Sequence, residues 1–352
     1  MLMRAFGDRY RHTVVSCDGR TEAAELAPGV DLTPATWSPD GGAMAGVKFA
    51  RRLLRQVKPD LLLTYNWGAM DTVLAARTSG FKRLVHHEDG FNADESVTLK
   101  GRRNWTRRLA LRSTDVIVPS ANLERIAKGT WRLRRVQLIP NGVDASLFAR
   151  SPSAAAAFRA AHGIPEDAFV VGAVGHLRPV KNFGRLIRAM AQATGSNEWP
   201  EGLRPHLLLV GEGGERNALE AEAAKAAHLE VTFTGHIRGL SDAYSAMDVF
   251  ALSSNSEQQP VSLLEAMSAG CPVVATDVGD ISATLPAEGR RLLAEVGPDA
   301  EAKMAGAITQ LARDPEQRSR LAELGLERVK ENYSLPAMVD AYGAAFERAM
   351  ER

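Results

Sequence analysis

The chain has 352 residues, 45% apolar, 24% charged and 6% aromatic, which is too long for one ordinary core and suits a soluble, two-domain globular protein. No run reaches the roughly 20 apolar residues of a membrane span, the opening Met-Leu-Met-Arg-Ala-Phe lacks a leader's apolar stretch, and Cys17 and Cys271 lack metal-ligand spacing. Net charge is +1, yet residues 1–150 carry 24 Lys/Arg against 15 Asp/Glu and residues 151–352 carry 19 against 27, so the halves differ sharply. The cytoplasm is the expected compartment. The basic half fits nucleic acid, anionic lipid or plain solvation equally well.

In chain order, Leu2–Phe6 reads as the tail of a helix and His12–Cys17 as a strand. Ala43–Val57 reads as a helix, with Val47, Ala50, Leu54 and Val57 near one face and Pro59 closing it. Strands are predicted at Leu61–Tyr65, Arg83–His86, Asp115–Pro119 and Val136–Ile139. The pattern restarts with a strand at Phe169–Val174 and a helix whose Phe183, Leu186, Ile187 and Met190 share a face. Further strands follow at His206–Val210, Val231–Thr234, Val249–Leu252 and Pro272–Thr276. Near-continuous apolar strands alternating with helices predict an α/β class, with parallel sheets covered on both faces. The seam between the halves falls at Asn141-Gly-Val-Asp144 and the Ala-rich Ser151–Ala157.

A doubly wound domain opens with a strand, a Gly-rich turn and a helix. Only Leu2–Phe6 precedes the strand at His12, so the first strand and its turn have no counterpart. Either His12–Cys17 pairs directly with Leu61–Tyr65, or the native chain starts upstream of Met1; the second is the expectation.

The most informative segment runs from Ser254 to Thr276. A strand ends at Leu252, a polar loop follows, and Pro260 is expected at the first position of a helix. Backbone N–H groups of Val261, Ser262 and Leu263 would then form an anion site. Glu257 lies in the loop and Glu265 more than a turn inside the helix. Carboxylates repel phosphate, so they suit sugar hydroxyls on either side of a diphosphate. Taken alone, the same pair also fits a cap (Glu257) and a surface decoration (Glu265).

The Glu-x7-Glu spacing, followed by Ala-Met-x-Ala-Gly-x-Pro-Val-Val-Ala-Thr, resembles the family-4 retaining glycosyltransferases. Ile139-Pro-Asn-Gly-Val-Asp144, Gly175-His-Leu-Arg-Pro-Val-Lys-Asn182, Leu209-Val-Gly-Glu-Gly213 and Phe233-Thr-Gly-His236 are similar to further family segments in the same order. Pro59-Asp60, Trp67-Gly68, Asp89-Gly90 and Asp115–Ser120 resemble the family more loosely. The resemblance implies a GT-B fold: two Rossmann-like doubly wound domains facing a cleft, the N-terminal one lacking its first strand. Residues 1–145 would be the acceptor domain, 146–334 the nucleotide-sugar domain, and 335–352 a helix packing back on the first.

It implies transfer from a UDP- or GDP-sugar to a saccharide or lipid-linked acceptor, without a metal or other cofactor and with retained anomeric configuration. Lys181 would neutralise the diphosphate, Glu257 would hold the donor sugar, and Glu265 the ribose. Pro260, Val261, Ser262 and Gly175 would line the phosphates. Departures from the pattern are His176, where the family has Arg, with Arg178 two residues on, and Gln258, where it has Gly. Asp89 stands where many relatives have a sugar-contacting His, and His87 is close by.

Lys100–Arg112 holds six cations and no acid, with Trp105, Leu109 and Arg112 on one helical side, flanked by Arg103 and Arg107. It fits a helix lying on anionic membrane at the inner face, or a solvated helix whose Trp and Leu pack on the sheet. The rival function is a non-catalytic nucleotide-sugar-binding relative with an incomplete acceptor domain. A sugar-nucleotide epimerase and a nucleic-acid reader fit the motifs less well.

Overall fold

The computed structural model describes residues 2–15, 31–32, 42–91 and 100–352. Two units emerge: one holds the described residues up to Pro140 together with Pro336–Arg352, the other Asn141–Leu335.

In the first unit α1 (Leu2–Phe6) leads to a short parallel pair, β1 (Thr13–Val14) with β2 (Asp31–Leu32). Then α2 (Gly42–Val57), β3 (Leu62–Tyr65), α3 (Met70–Thr78), β4 (Leu84–His87), α4 (Gly101–Ala110), β5 (Asp115–Val118), α5 (Ala121–Gly129) and β6 (Val136–Leu138) alternate. β3 to β6 form a parallel sheet in sequential order, each crossover helix carrying the chain one strand onward. Leu84, Val116 and Val118 bury against Val73, Leu123, Ala127 and Trp131. The strand expected at His12–Cys17 is shorter, since β1 covers Thr13–Val14 and Cys17 lies outside the described residues. Direct pairing with the Leu61–Tyr65 strand, the less favoured of the two sequence alternatives, does not occur among the described residues, where β1 pairs with β2.

In the second unit Ser151 caps α6 (Pro152–Ala161), its hydroxyl accepting from the Ala154 N–H at 3.3 Å. β7 (Phe169–Val174), α7 (Phe183–Thr194), β8 (Pro205–Val210), α8 (Arg216–Ala223) and β9 (Glu230–Gly235) come next. α9 (Ser241–Ser245), β10 (Val249–Leu252), α10 (Val261–Ser268), β11 (Val273–Thr276), α11 (Ile281–Thr284) and β12 (Leu293–Ala294) follow. α12 (Ala300–Arg313) and α13 (Pro315–Asn332) complete it, and from Pro336 onward α14 (Leu335–Met350) belongs to the first unit. Other predicted boundaries shift by a residue or so, because ladder hydrogen bonds rather than apolar runs end a strand.

The six strands are parallel, in the order β12-β11-β10-β7-β8-β9. Side chains alternate across β7: Phe169, Val171 and Ala173 enter one core with α7 and α12, Val170 and Val174 the other with α9 and α10. The α7 stripe Phe183, Leu186, Ile187 and Met190 is buried as expected, each side chain contributing about 1.5–3 kcal/mol. Strand order reverses between β7 and β10, and in open parallel sheets the carboxyl edge at such a reversal is where a ligand crevice lies. Gly211, after β8, comes so close to the turn after β7 that a Cβ would lie 2.0 Å from the Gly175 carbonyl oxygen. Only glycine permits that approach.

Candidate active site

The loop after β7 is tied to the loop after β8. Gly175 N–H donates to the Val210 carbonyl at 3.0 Å, and Leu177 N–H to the Glu212 carbonyl at 2.9 Å. His176 and Arg178 are exposed on this loop, with His176 Nδ1 3.1 Å from the Glu212 carbonyl oxygen. Pro179–Lys181 form a single 3-10 turn. Asn182 ends it in the left-handed conformation at φ +45°, and its side-chain oxygen accepts from the Arg185 N–H at 3.2 Å to cap α7. Asparagine tolerates that conformation better than most residues, so the turn that presents Lys181 is sharply defined.

Lys181 Nζ donates to Glu257 Oε1 at 2.6 Å, and Ser254 Oγ donates to the same oxygen at 2.6 Å. Ser253 Oγ donates to the Lys181 carbonyl at 3.1 Å, and Asn255 N–H to the Val180 carbonyl at 2.8 Å. Arg185, buried on α7, donates to the Ser253 carbonyl and to Asn255 Oδ1, each at 2.8 Å. The two loops at the strand-order reversal are therefore one hydrogen-bonded structure. Gly279 presses on it from the end of β11: at φ +60°, a Cβ there would lie 2.2 Å from the Glu257 carbonyl oxygen. Asn141 braces its far end, its N–H donating to Gln259 Oε1 at 2.5 Å and its Nδ2 to the Gln259 carbonyl at 2.8 Å. Gln258, like Gln259, is buried.

Pro260 is the cap residue of α10 rather than its first helical residue, a correction of one position. Pro260 has no side-chain oxygen with which to cap this helix, and Glu257 pairs with Lys181 instead. The leading N–H groups of α10 belong to Val261 and Ser262, and they lack intrahelical acceptors as in any helix start. With the partial positive charge of the helix end they form an anion-binding position.

Glu265, half-buried a turn further on, accepts from the Tyr244 hydroxyl at 2.8 Å. Burial raises its pKa above the usual carboxylate value, and the Tyr244 hydrogen bond partly offsets that. The structure thus unites Lys181 and Glu257, while Glu265 pairs with Tyr244. Sequence reading missed Arg185, Ser254, Tyr244 and the Asn141–Gln259 brace. Arg185 had a signal, a cation among the buried positions of α7; Tyr244 had none. Chemically, the crevice offers an ammonium and a helix start for an anion, with carboxylates for hydroxyl groups. Among the described residues no group of three His, Cys, Asp or Glu is placed to hold a metal ion.

In the first unit the remaining sequence candidates, His87 and Asp89, sit at the carboxyl end of β4 and just beyond it. His87 is 1% exposed, and neither ring nitrogen has a hydrogen-bond partner among the described residues. Burial, reinforced by His86, lowers its pKa to about 3. The rings of Tyr65 and Tyr342 pack on it with centroids 4.3 and 5.3 Å away. Asp89 N–H donates to Asn66 Oδ1 at 2.7 Å, and Asn66 Nδ2 donates to Asp89 Oδ2 at 3.4 Å.

Between them, Glu88 turns inward to Arg107 of α4, which donates from Nε at 3.0 Å and from Nη2 at 3.2 Å. The Arg107 guanidinium lies 5.0 Å from the Trp131 ring, 5.1 Å from Trp67 and 5.5 Å from Phe91. That anchor fixes which way α4 faces. Trp105, two residues earlier and so on the opposite side, is 62% exposed, and Leu109 is 55% exposed. Packing of Trp105 and Leu109 on the sheet, one of the two sequence readings, is thereby overturned.

Residues 1–147 match the family profile described as Glycosyltransferase Family 4, and residues 155–328 that of Glycosyl transferases group 1. A D-inositol 3-phosphate glycosyltransferase of Stackebrandtia nassauensis is 33% identical over 229 residues, 61% of this chain and 50% of the relative. The chain thus spans half the length of that relative. The lipopolysaccharide core biosynthesis glycosyltransferase LpsE of Rhizobium meliloti is 32% identical over 295 residues, 83% of this chain and 77% of the relative. HepE of Anabaena, solved in complex with UDP and glucose, has a TM-score of 0.81 at 20% identity over 99% of this chain and 94% of that one. This likeness shows the same GT-B fold. With the motif loops on the crevice of the second unit and both halves matched, the chain belongs to the group 1 glycosyltransferases of family 4.

Proposed function

We propose that the chain transfers a glycosyl group from a UDP- or GDP-linked sugar to a hydroxyl of a saccharide or lipid-linked acceptor. In this reading the anomeric configuration is retained and no metal is needed. The observation that carries it is the Lys181–Glu257 pair at the strand-order reversal, with Glu257 four residues ahead of Val261, the first helical residue of α10. The acceptor oxygen bonds to the anomeric carbon as the bond to the β-phosphate oxygen breaks. The acceptor proton passes to that departing oxygen on the same face. Negative charge grows on the diphosphate, where Lys181 and the Val261 and Ser262 N–H groups would stabilise it. His176 and Arg178, exposed on the Gly175 loop, add a hydrogen-bond donor and a cation. Glu257 would accept from donor-sugar hydroxyls and Glu265 from ribose hydroxyls. The UDP and glucose in the HepE complex support the donor class, and the LpsE name supports polysaccharide biosynthesis.

A second observation bears on location. Trp105 and Leu109 face outward on α4, a helix that also carries Arg102 and Arg108. That face suits the cytoplasmic surface of an anionic membrane. No described helix is long and apolar enough to cross a membrane.

Incubation with a panel of nucleotide sugars and saccharide acceptors tests the reaction, with free UDP or GDP and the anomeric proton coupling of the product as readouts. Transfer with retention is expected. Failure of every nucleoside diphosphate to bind by calorimetry would sink the reading.

A further inference from the structure

Tyr244 of α9 takes no part in the donor chemistry above, yet its hydroxyl donates to Glu265 Oε2 at 2.8 Å. α9 and α10 flank β10 in sequence, and both pack into the same core. Tyr244 is fully buried there, with the Phe148 and Phe250 rings edge-on at 5.9 and 5.8 Å. Its carbonyl accepts from the Met247 N–H at 3.1 Å and from Cys271 Sγ at 3.3 Å, so its backbone and ring are both held. A phenol buried this deeply needs a partner for its O–H, and Glu265 is the partner it has among the described residues. Glu265 is under-supplied in turn. An ionised carboxylate has about four acceptor positions, and Tyr244 fills one of them. Glu265 Oε1 has no hydrogen-bond partner among the described residues and opens to solvent. Burial raises the pKa of Glu265, and the Tyr244 hydrogen bond counters that. A half-buried carboxylate with one donor is costly until further donors arrive.

We propose that Tyr244 is a positioning residue for nucleotide recognition: it pins Glu265 Oε2 and so leaves Oε1 ready for the vicinal hydroxyls of a ribose. The pin holds because the phenol is itself fixed by two rings and two hydrogen bonds to its backbone. A free glutamate side chain swings about three torsions, and fixing them before the ligand arrives spares the complex that ordering cost. Because the phenol donates, it also favours the ionised carboxylate, the form that accepts from both hydroxyls. A site arranged to receive hydroxyls rejects the analogue lacking them, since its own polar group is then left short of donors. Tyr244 thereby sets the preference for ribonucleotides over deoxyribonucleotides without touching the ligand. The proposal rests on the glycosyltransferase reading for Glu265 as the ribose ligand, and it adds the residue that makes Glu265 effective.

Titration calorimetry on the full chain tests it, with UDP and GDP each set against its 2′,3′-dideoxy counterpart. The native chain should prefer the ribonucleotide by roughly tenfold or more, the difference expected for hydrogen bonds to a charged group. Tyr244→Phe, which removes one buried oxygen and keeps the ring, should lower that preference about fivefold by weakening the ribonucleotide alone. In a Glu265→Ala background the same substitution should change the preference no further, because the two residues act through one contact. A second measurement uses the native chain with 13C at the tyrosine ζ carbon. The Tyr244 resonance should shift on binding the ribonucleotide and hold still with the dideoxy form, and it decides alone should Tyr244→Phe fail to fold. An unchanged preference in a folded Tyr244→Phe, equal weakening of both nucleotides by it, or a still resonance in the native chain overturns the positioning role. An intact preference in Glu265→Ala would instead overturn the ribose assignment of Glu265 and the proposal with it. No binding of either diphosphate would overturn the donor reading itself.

Discussion

Lys181 and Glu257, 76 residues apart in sequence, meet at 2.6 Å and join the loops after β7 and β10 where the strand order reverses. The ammonium is therefore already compensated before any ligand arrives. A diphosphate has to share Lys181 with Glu257 or displace it, and this makes the two variants behave oppositely.

Lys181→Ala should weaken nucleoside-diphosphate binding by about 1.5–3 kcal/mol, roughly 10- to 150-fold. The lone Glu257 carboxylate would then face the phosphates uncompensated. Glu257→Gln frees the ammonium, so nucleotide affinity should hold or rise while transfer slows. Titration calorimetry on both variants is the check, and unaltered affinity in Lys181→Ala would place the diphosphate elsewhere.

Glu265 links the site to pH. Burial raises its folded-state pKa above 4.5, so the folded protein favours the protonated acid. A raised pKa contributes stability that is fully present below 4.5 and lost as pH rises through the folded value. Glu265→Gln keeps an acceptor for the Tyr244 hydroxyl and removes the charge. It should melt higher than the native chain at pH 7, show no such gain at pH 4, and bind nucleoside diphosphates more weakly. The same melting difference at both pH values would show that Glu265 does not titrate in this window.

The parts legible in the sequence share one property: their signal is local. The α7 stripe repeats every three to four residues, the β7 run is continuous, and the loop-helix-strand from Glu257 to Thr276 reads in one line. The Tyr244–Glu265 bond and the Arg185 contacts to Ser253 and Asn255 join distant residues and carry no period. The facing of α4 was open for another reason. Six cations lie between Lys100 and Arg112, and nothing local says that Arg107 is the one Glu88 takes into the core. Once that pair forms, the outward side of the helix follows.

That outward side should bind lipid. Each cation near an anionic surface contributes about 1 kcal/mol, so binding should fall as salt screens it. Co-sedimentation with phosphatidylserine vesicles is expected at low salt and reduced at high salt, with little on phosphatidylcholine vesicles. Replacing Trp105 and Leu109 together by Ala should weaken it without shifting the melting temperature, since both side chains are exposed. Equal recovery on both lipids would make α4 a solvated helix.

His87 should make the protein acid-sensitive in a defined window. Its pKa, ordinarily 6.5, is lowered to about 3 by burial and by His86. A depressed pKa gives stability that is present above 6.5 and lost as pH falls toward the folded value, because only the unfolded chain takes up the proton. Between pH 6.5 and pH 5 that amounts to about 1.6 kcal/mol, because the unfolded imidazole is half-protonated at pH 6.5 and the slope reaches about 1.36 kcal/mol per pH unit only below it. Phenylalanine keeps a ring against Tyr65, Tyr342 and Phe346 and brings neither a proton site nor orphaned nitrogens. His87→Phe should therefore lose less melting temperature than the native chain between pH 7 and pH 5. It should also be more stable at pH 7, since an unsatisfied buried polar group costs about 1–3 kcal/mol. An identical acid shift in both proteins would assign the sensitivity to a group other than His87.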